Sequence, residues 1–210
     1  GFHDRAATPE QAAELIDFLR ARSAPRHRVT LVGGVPARWR TLRMDSHRDP
    51  RWADVYRSFD VISPWTVGRF RDDAGVDRFY RTEVGPDLSE TRRLGLDYLP
   101  VVFPGFSWHH LRGKPPLNQV PRRGGRFYWR QVQRALAAGA TMMYGAMFDE
   151  VDEGTAMYKL AASGAQAPRE ARFLTLDADG ERVPSDWYLR LAGETQRALL
   201  STSRERGAVR

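Results

Sequence analysis

Hydrophobic and polar positions along this chain alternate between two periods, and the alternation repeats. Thr8-Pro9-Glu10-Gln11 opens the first helical pattern: Thr8 suits the N-cap, Pro9 the first helical position, and Gln11 closes a capping box. Ala12, Leu15, Ile16 and Leu19 then recur at helical spacing. The run Val29-Thr30-Leu31-Val32-Gly33-Gly34-Val35-Pro36 reads as a strand ended by glycines and a proline. The unit repeats as a helix over 52–59 and a strand over 60–65, then as a helix over 88–94 with a strand and loop from Tyr98 to His109. A periodic helix over 125–138 precedes an apolar strand over 141–148, and Arg172 to Asp177 suggests one more strand before a closing helix capped by Ser185. Helix and strand alternating with short connections predict an α/β fold with parallel strands, here four or five βα units.

The most informative stretch lies where the apolar run over 141–148 meets Asp149-Glu150-Val151-Asp152-Glu153-Gly154-Thr155. Strands of a (β/α)8 TIM barrel are apolar on both faces, and chemistry sits where they emerge at the C-terminal edge. Glu150 and Glu153 are three positions apart, so on a helical turn their Cβ atoms would be roughly 5–6 Å apart on one face. Two such carboxylates serve glycosidic cleavage, one as a protonated acid at the leaving oxygen and one ionised at the anomeric region. Their mutual repulsion holds a proton on one of them. Two blander readings stand beside this one: the four acids cap a helix N-terminus, or they form an oxygen-rich cation site.

A barrel of eight strands takes about 250 residues, so 210 residues with four or five units predict one partial barrel domain over residues 1–210, its C-terminal half to two-thirds. The opening Gly1-Phe2-His3-Asp4 reads as the end of a strand and its loop. The strand edges of a partial barrel call for the missing N-terminal half, or for self-association, to cover them.

The chain is 41 % hydrophobic and 11 % aromatic, enough for one substantial core, and it contains no cysteine, which excludes disulfides and thiolate metal sites. No apolar run approaches the roughly 18–20 residues of a membrane span, and the N-terminus lacks signal-peptide order. The net charge of +7 is almost wholly arginine, with Lys114 and Lys159 the lysines, a skew expected of a GC-rich bacterial genome. Because the arginines are spread among acids rather than gathered in a stripe, nucleic acid is not the expected partner. The exception is the basic and aromatic segment Arg122 to Arg130, which includes Arg123, Arg126 and Tyr128 and sits where a substrate loop is expected.

Each strand end carries aromatic or polar side chains: Trp39 and Arg40, then Trp65, then Trp108, His109 and His110, then the carboxylates. Sugars offer CH faces to rings and hydroxyls to Asp, His and Arg, so this mixture suits a carbohydrate cleft. For any single tryptophan, core packing is the competing explanation. The adjacent pair His109-His110 lacks metal-ligand spacing. Asp177 to Glu181 reads as a turn, not a calcium loop. No phosphate-cradling glycine loop and no serine nucleophile elbow is present.

Phe148 to Thr155, together with Pro104-Gly105-Phe106-Ser107-Trp108 and Arg123-Gly124-Gly125-Arg126-Phe127-Tyr128, resembles the C-terminal half of glycoside hydrolase family 99 and its family 71/99-like relatives over nearly the whole chain. The resemblance implies a (β/α)8 barrel that cleaves α-mannosides from inside the glycan with retention of configuration, without cofactor or metal. It implies a secreted or periplasmic location. The family motif Asn-Glu-Trp-His-Glu-Gly-Thr places its glutamates on Glu150 and Glu153. Glu153 would then be general acid and base, while Glu150 would deprotonate the substrate 2-hydroxyl to form an anhydro-sugar. Asp149, Val151 and Asp152 replace the family's Asn, Trp and His and bear on which sugar fits, with xylosidase- or arabinosidase-type activity as an alternative. The expected substrate contacts are Asp149, Asp152, Trp65, Trp108, His109, Arg123, Arg126, Tyr128 and Tyr144. A non-catalytic carbohydrate-binding domain is the reading from another class.

Overall fold

A computed structural model describes residues 8–21, 29–113, 116–168, 170 and 172–208, with side chains through 204; the Gly1 to Asp4 segment lies outside them. The elements are α1 (Pro9–Ala21), β1 (Val32–Pro36), α2 (Arg51–Arg57), β2 (Val61–Trp65), α3 (Asp73–Phe79), α4 (Gly85–Leu94), β3 (Asp97–Tyr98), β4 (Val101–Val102), α5 (His109–Arg112), α6 (Arg126–Ala138), β5 (Tyr144–Gly145) and α7 (Trp187–Ala208).

All strand pairs are parallel: β1 with β2, β2 with β3, and β4 with β5. β3 and β4 are two pieces of one extended segment interrupted at Leu99-Pro100, where the Leu99 amide donates to the Ile62 carbonyl and the Tyr144 amide to the Pro100 carbonyl. The array therefore runs in chain order, β1, β2, β3/β4, β5, with helices between, as βα units require. Among the described residues these four βα units form no closed barrel, and residues 172–176 form no strand.

The capping box forms at α1: the Gln11 amide donates to Thr8 Oγ1 at 3.3 Å and the Thr8 amide to Gln11 Oε1 at 3.0 Å. Of the expected core face of α1, Ile16 is buried but Leu15 and Leu19 are exposed. Gly33 and Gly34 lie inside β1 rather than ending it. A Cβ on Gly33 would collide with the Phe59 ring, so glycine is what lets that ring close over the strand. The polar stretch before residue 88 is helical. α3 starts at Asp72, whose carboxylate accepts the Gly75 amide at 2.7 Å, and continues through a π-helical turn, Tyr80–Val84, into α4.

The expected strand over 141–148 shrinks to Tyr144–Gly145, both exposed, and Phe148 is 65 % exposed. Its apolar residues have only one strand neighbour among the described residues, so apolar character alone did not bury them.

Two apolar clusters carry the packing. The larger surrounds β1 to β4 and contains Trp39, Tyr56, Ile62, Phe103 and Phe127. The second packs α6, α7 and residues 156–160 around Tyr128, Val132 and Tyr188. Gln131 of α6 ties the helix to the loop after β4 by accepting the Phe103 amide and donating to the Phe103 and Phe127 carbonyls. No described helix is long and apolar enough to cross a membrane.

Trp39 and Arg40, read from sequence as cleft residues, face inward. Trp39 Nε1 and Arg40 Nε donate to Asp87 at 3.0 and 2.7 Å, and the Tyr98 hydroxyl donates at 3.3 Å. Burial raises the Asp87 carboxyl to about 6 while Arg40 and Trp39 pull it down, so at neutral pH it is the anion these donors need. Asp87→Ala should therefore lower stability by about 3 kcal/mol, read as a fall in the urea midpoint at pH 7; an unchanged midpoint would contradict this.

Candidate active site

The four carboxylates project from a closed loop just after β5. The Met157 and Tyr158 amides donate to the Phe148 carbonyl, the Met147 amide to the Thr155 carbonyl, and the Thr155 and Ala156 amides to the Glu150 carbonyl. The Ala146–Met147 peptide at its start is cis. Residues 151–154 are turns, and no helix follows within the next residues. This corrects both helical expectations for the segment: Glu150 and Glu153 do not share a helical face, and the acids do not cap a helix.

Three contacts fix the turn from outside. Arg122, 5 % exposed, donates through Nη2 to the Gly154 carbonyl at 2.9 Å and the Ala156 carbonyl at 2.7 Å, and its guanidinium lies 4.6 Å from the Tyr188 ring centroid. The Ser107 amide, in the loop after β4, donates to the Glu153 carbonyl at 2.7 Å. Gly154 has φ +66°, and a Cβ there would lie 2.7 Å from Leu174 Cδ1. Only glycine accepts both that left-handed backbone and that space.

Asp149 and Asp152 are exposed, whereas Glu150 and Glu153 are partly buried. Thr155 Oγ1 donates to Glu150 Oε2 at 3.2 Å. The Glu153 carboxyl is raised above the ordinary glutamate value, first by burial and then by the charges of Glu150 and Asp152. Thus one carboxylate is hydrogen-bonded and its neighbour is pushed toward the protonated form. That is the division of roles an acid and an anionic partner need. Among the described residues no group of three His, Asp or Glu is placed to hold a metal ion.

The expected substrate contacts divide. Trp65, the last residue of β2, and Tyr144, the first of β5, come together with ring centroids 6.5 Å apart, and the Tyr144 hydroxyl donates to Met147 Sδ at 3.0 Å. Trp108 and His109 lie beside Ser107 and so next to the turn. Trp108 is partly enclosed, edge-on to Phe106 and with Arg112 4.3 Å from its ring centroid. The His109 amide donates to Ser107 Oγ at 3.4 Å, and His110 Nε2 lies 3.2 Å from the Arg172 carbonyl oxygen.

Of the segment expected to be a substrate loop, Tyr128 is a core residue, whereas Arg123 and Arg126 stay accessible in surface ion pairs. Tyr128 is 2 % exposed with its hydroxyl 3.2 Å from Thr195 Oγ1. Arg126 pairs with Glu181 at 2.6 Å, and Arg123 pairs with Asp73 while its amide donates to Asp179. These partners lie in α7, in α3 and in the turn around Asp177 to Glu181, where Gly180 takes φ +82°. Within the same segment Arg122 went unread. Its single signal, an arginine directly before the Arg-Gly-Gly turn, does not reveal burial.

With the geometry in view, the chain can be set beside known proteins. No protein-family model matches it, and no curated protein matches it significantly. Its fold is that of glycoside hydrolase family 99 structures, an α/β fold of helices and parallel strands. One is the endo-α-mannosidase from Bacteroides thetaiotaomicron in complex with bis-tris-propane, with TM-score 0.56, 16 % identity, and coverage of 97 % of this chain and 68 % of that one. A second structure of the endo-α-mannosidase from that organism gives TM-score 0.59 and 14 % identity, covering 95 % of this chain and 65 % of the other. The chain thus spans about two-thirds of the length of these enzymes.

Arg122→Lys removes the planar guanidinium that bridges two carbonyls. The amides of Thr155 and Ala156 should then exchange with solvent about 10-fold faster, while those in the middle of α6 keep their wild-type rates. Unchanged exchange at 155 and 156 would show that Arg122 does not hold the turn.

Proposed function

We propose that this chain is the larger part of a glycoside hydrolase barrel that cleaves O-glycosidic bonds within a glycan, with Glu153 as acid and base and Glu150 as its anionic partner. The observation that carries this is the Glu150–Glu153 turn. It sits at the C-terminal end of parallel strands, in a fold like that of the family 99 enzymes, with Glu153 shifted toward its protonated form.

Glu153 gives its proton to the leaving oxygen as the bond to the anomeric carbon breaks, and then takes one back from the incoming water. Glu150, held by Thr155, deprotonates the 2-hydroxyl, whose oxygen attacks the anomeric carbon as the leaving group departs. Water then attacks that carbon, its bond to O2 breaks, and O2 takes the proton back from Glu150, so two inversions retain configuration. Trp65 and Tyr144 supply the ring faces against which a sugar stacks. Asp149 and Asp152, exposed at the rim, take hydroxyls and set sugar preference. α-Mannosides are the first substrates to test, then xylans and arabinans.

Glu153→Gln in the protein should lower kcat/KM on natural linkages by about 10³-fold. It should lose far less on an aryl glycoside whose leaving group needs no proton, and oligosaccharide affinity should persist. Near-wild-type turnover of natural linkages by Glu153→Gln would remove the acid assignment. Oligosaccharide binding without bond cleavage by the wild type would leave a binding domain.

The pH profile gives a second test. The Asp152 charge helps to raise Glu153, so removing it lowers the pH at which the acid loses its proton. Asp152→Asn should therefore move the alkaline limb of the kcat/KM profile to lower pH, and an unmoved limb would contradict the coupling.

A further inference from the structure

A cavity opens at the strand ends, with none of the four carboxylates in its lining. It measures about 440 Å³ and lies between the loop after β1, which supplies Arg38, the loop after β2, which supplies Arg69 and Arg71, and α3 with the π-helical turn that follows, which supply Arg78 and Thr82. The volume falls within the roughly 300–1,000 Å³ of small-molecule sites.

The four arginines are not equivalent. Arg38 is ion-paired with Glu83 and lies 5.2 Å from the Phe79 ring centroid. Arg69 is paired with Asp45 at 2.9 Å. Asp45 also accepts the Ala37 and Arg38 amides at 2.9 and 3.2 Å, so this carboxylate ties the two loops together. Arg71 and Arg78 make no ion pair with any described residue, and Asp72, the acid on the cavity wall, is already committed to the Gly75 amide at 2.7 Å. Two charges are thus anchored as walls, and two face the cavity uncompensated.

The cavity is also backed by rings. Phe70 and Phe79 are each 6 % exposed, with centroids 5.1 Å apart. A closed apolar floor, guanidinium forks at the sides and a threonine hydroxyl match a hydroxyl-bearing ring that carries an oxyanion: the anion takes bidentate hydrogen bonds from arginine and the hydroxyls bond to the polar rim. The net charge of +7 favours the approach of such a ligand.

The cavity belongs to the face that carries the carboxylates. A Cβ on Gly68, next to Arg69, would lie 3.2 Å from Trp108 Cζ2, and Ser107 beside that tryptophan donates its amide to the Glu153 carbonyl. One packed path therefore joins the cavity wall to the acidic turn.

We infer that this cavity is a subsite for an anionic glycan unit bearing a carboxylate, sulfate or phosphate, with Arg71 and Arg78 as its recognition residues. The inference rests on the glycosidase reading for its place along a glycan but not for the binding event itself, so the test reads binding directly. Calorimetric titration of the chain with glucuronic acid, glucose 6-sulfate, glucose 6-phosphate, glucose and inorganic sulfate separates the sources. At least one anionic sugar should bind saturably, more tightly than both glucose and inorganic sulfate, and more weakly as salt is added.

Arg71→Ala/Arg78→Ala, at two exposed positions, should keep the wild-type melting temperature and weaken that binding at least about 10-fold, a loss of about 1.4 kcal/mol. The same change at Arg190, on α7, should leave it intact. Equal affinity for glucose and the anionic sugars, or unchanged affinity in the double variant, would overturn the subsite. Inorganic sulfate binding as tightly as every anionic sugar would also overturn it, because the site would then be for a free anion. Hydrolysis of neutral glycans with no anionic-sugar binding would refute this inference and leave the proposed function standing; the converse result would do the reverse.

Discussion

A guanidinium buried beneath the acidic turn is the constraint on which the candidate site depends. Four acidic side chains within five consecutive positions repel one another, and left to themselves they would spread into water. Arg122 opposes this without neutralising a carboxylate, because its hydrogen bonds go to the carbonyls of Gly154 and Ala156. The turn is therefore held by its main chain, and its side chains stay available. Ser107 adds a second main-chain tether from the neighbouring loop, and Gly154 supplies the backbone conformation that lets both act on one short segment.

The parallel array gives those tethers their meaning. β2, β4 and β5 bring the loops after them to one edge, so Trp65, Trp108 and the acidic turn are neighbours although far apart in the chain. Partial burial and the charges of Glu150 and Asp152 then separate the two glutamates chemically. Thr155 donates a hydrogen bond to one, while burial and then like charges raise the other. The same edge holds the arginine-lined cavity, so acid–base chemistry and anion recognition would share one surface served by different loops.

Much of this arrangement was legible in the chain. Period alternation located α1, α2, α4, α6 and α7 and the order of the βα units but not α3 or α5, the Thr8 capping box formed as read, and the carboxylates stand beyond a strand. Less legible was anything decided by partners distant in sequence. Trp39 and Arg40 looked like cleft residues because they follow a strand, but Asp87, 47 or 48 positions later, draws them inward. Tyr128 looked like part of a substrate loop because it stands among basic and aromatic residues, but it is buried with its hydroxyl against Thr195. Arg122 could not be distinguished from its neighbours because only burial separates it. The run over 141–148 misled in the other direction, since apolar composition does not reveal whether a second strand lies alongside.

The fold keeps Glu153 more protonated than an ordinary glutamate by setting it, partly buried, beside Glu150. Carbon-13 NMR titration of the side-chain carboxyls tests this directly. Glu153 should titrate above the usual glutamate value in the wild type and move downward when Glu150→Gln removes the neighbouring charge. A Glu153 that titrates at or below the usual value, and at the same pH in both proteins, would contradict it.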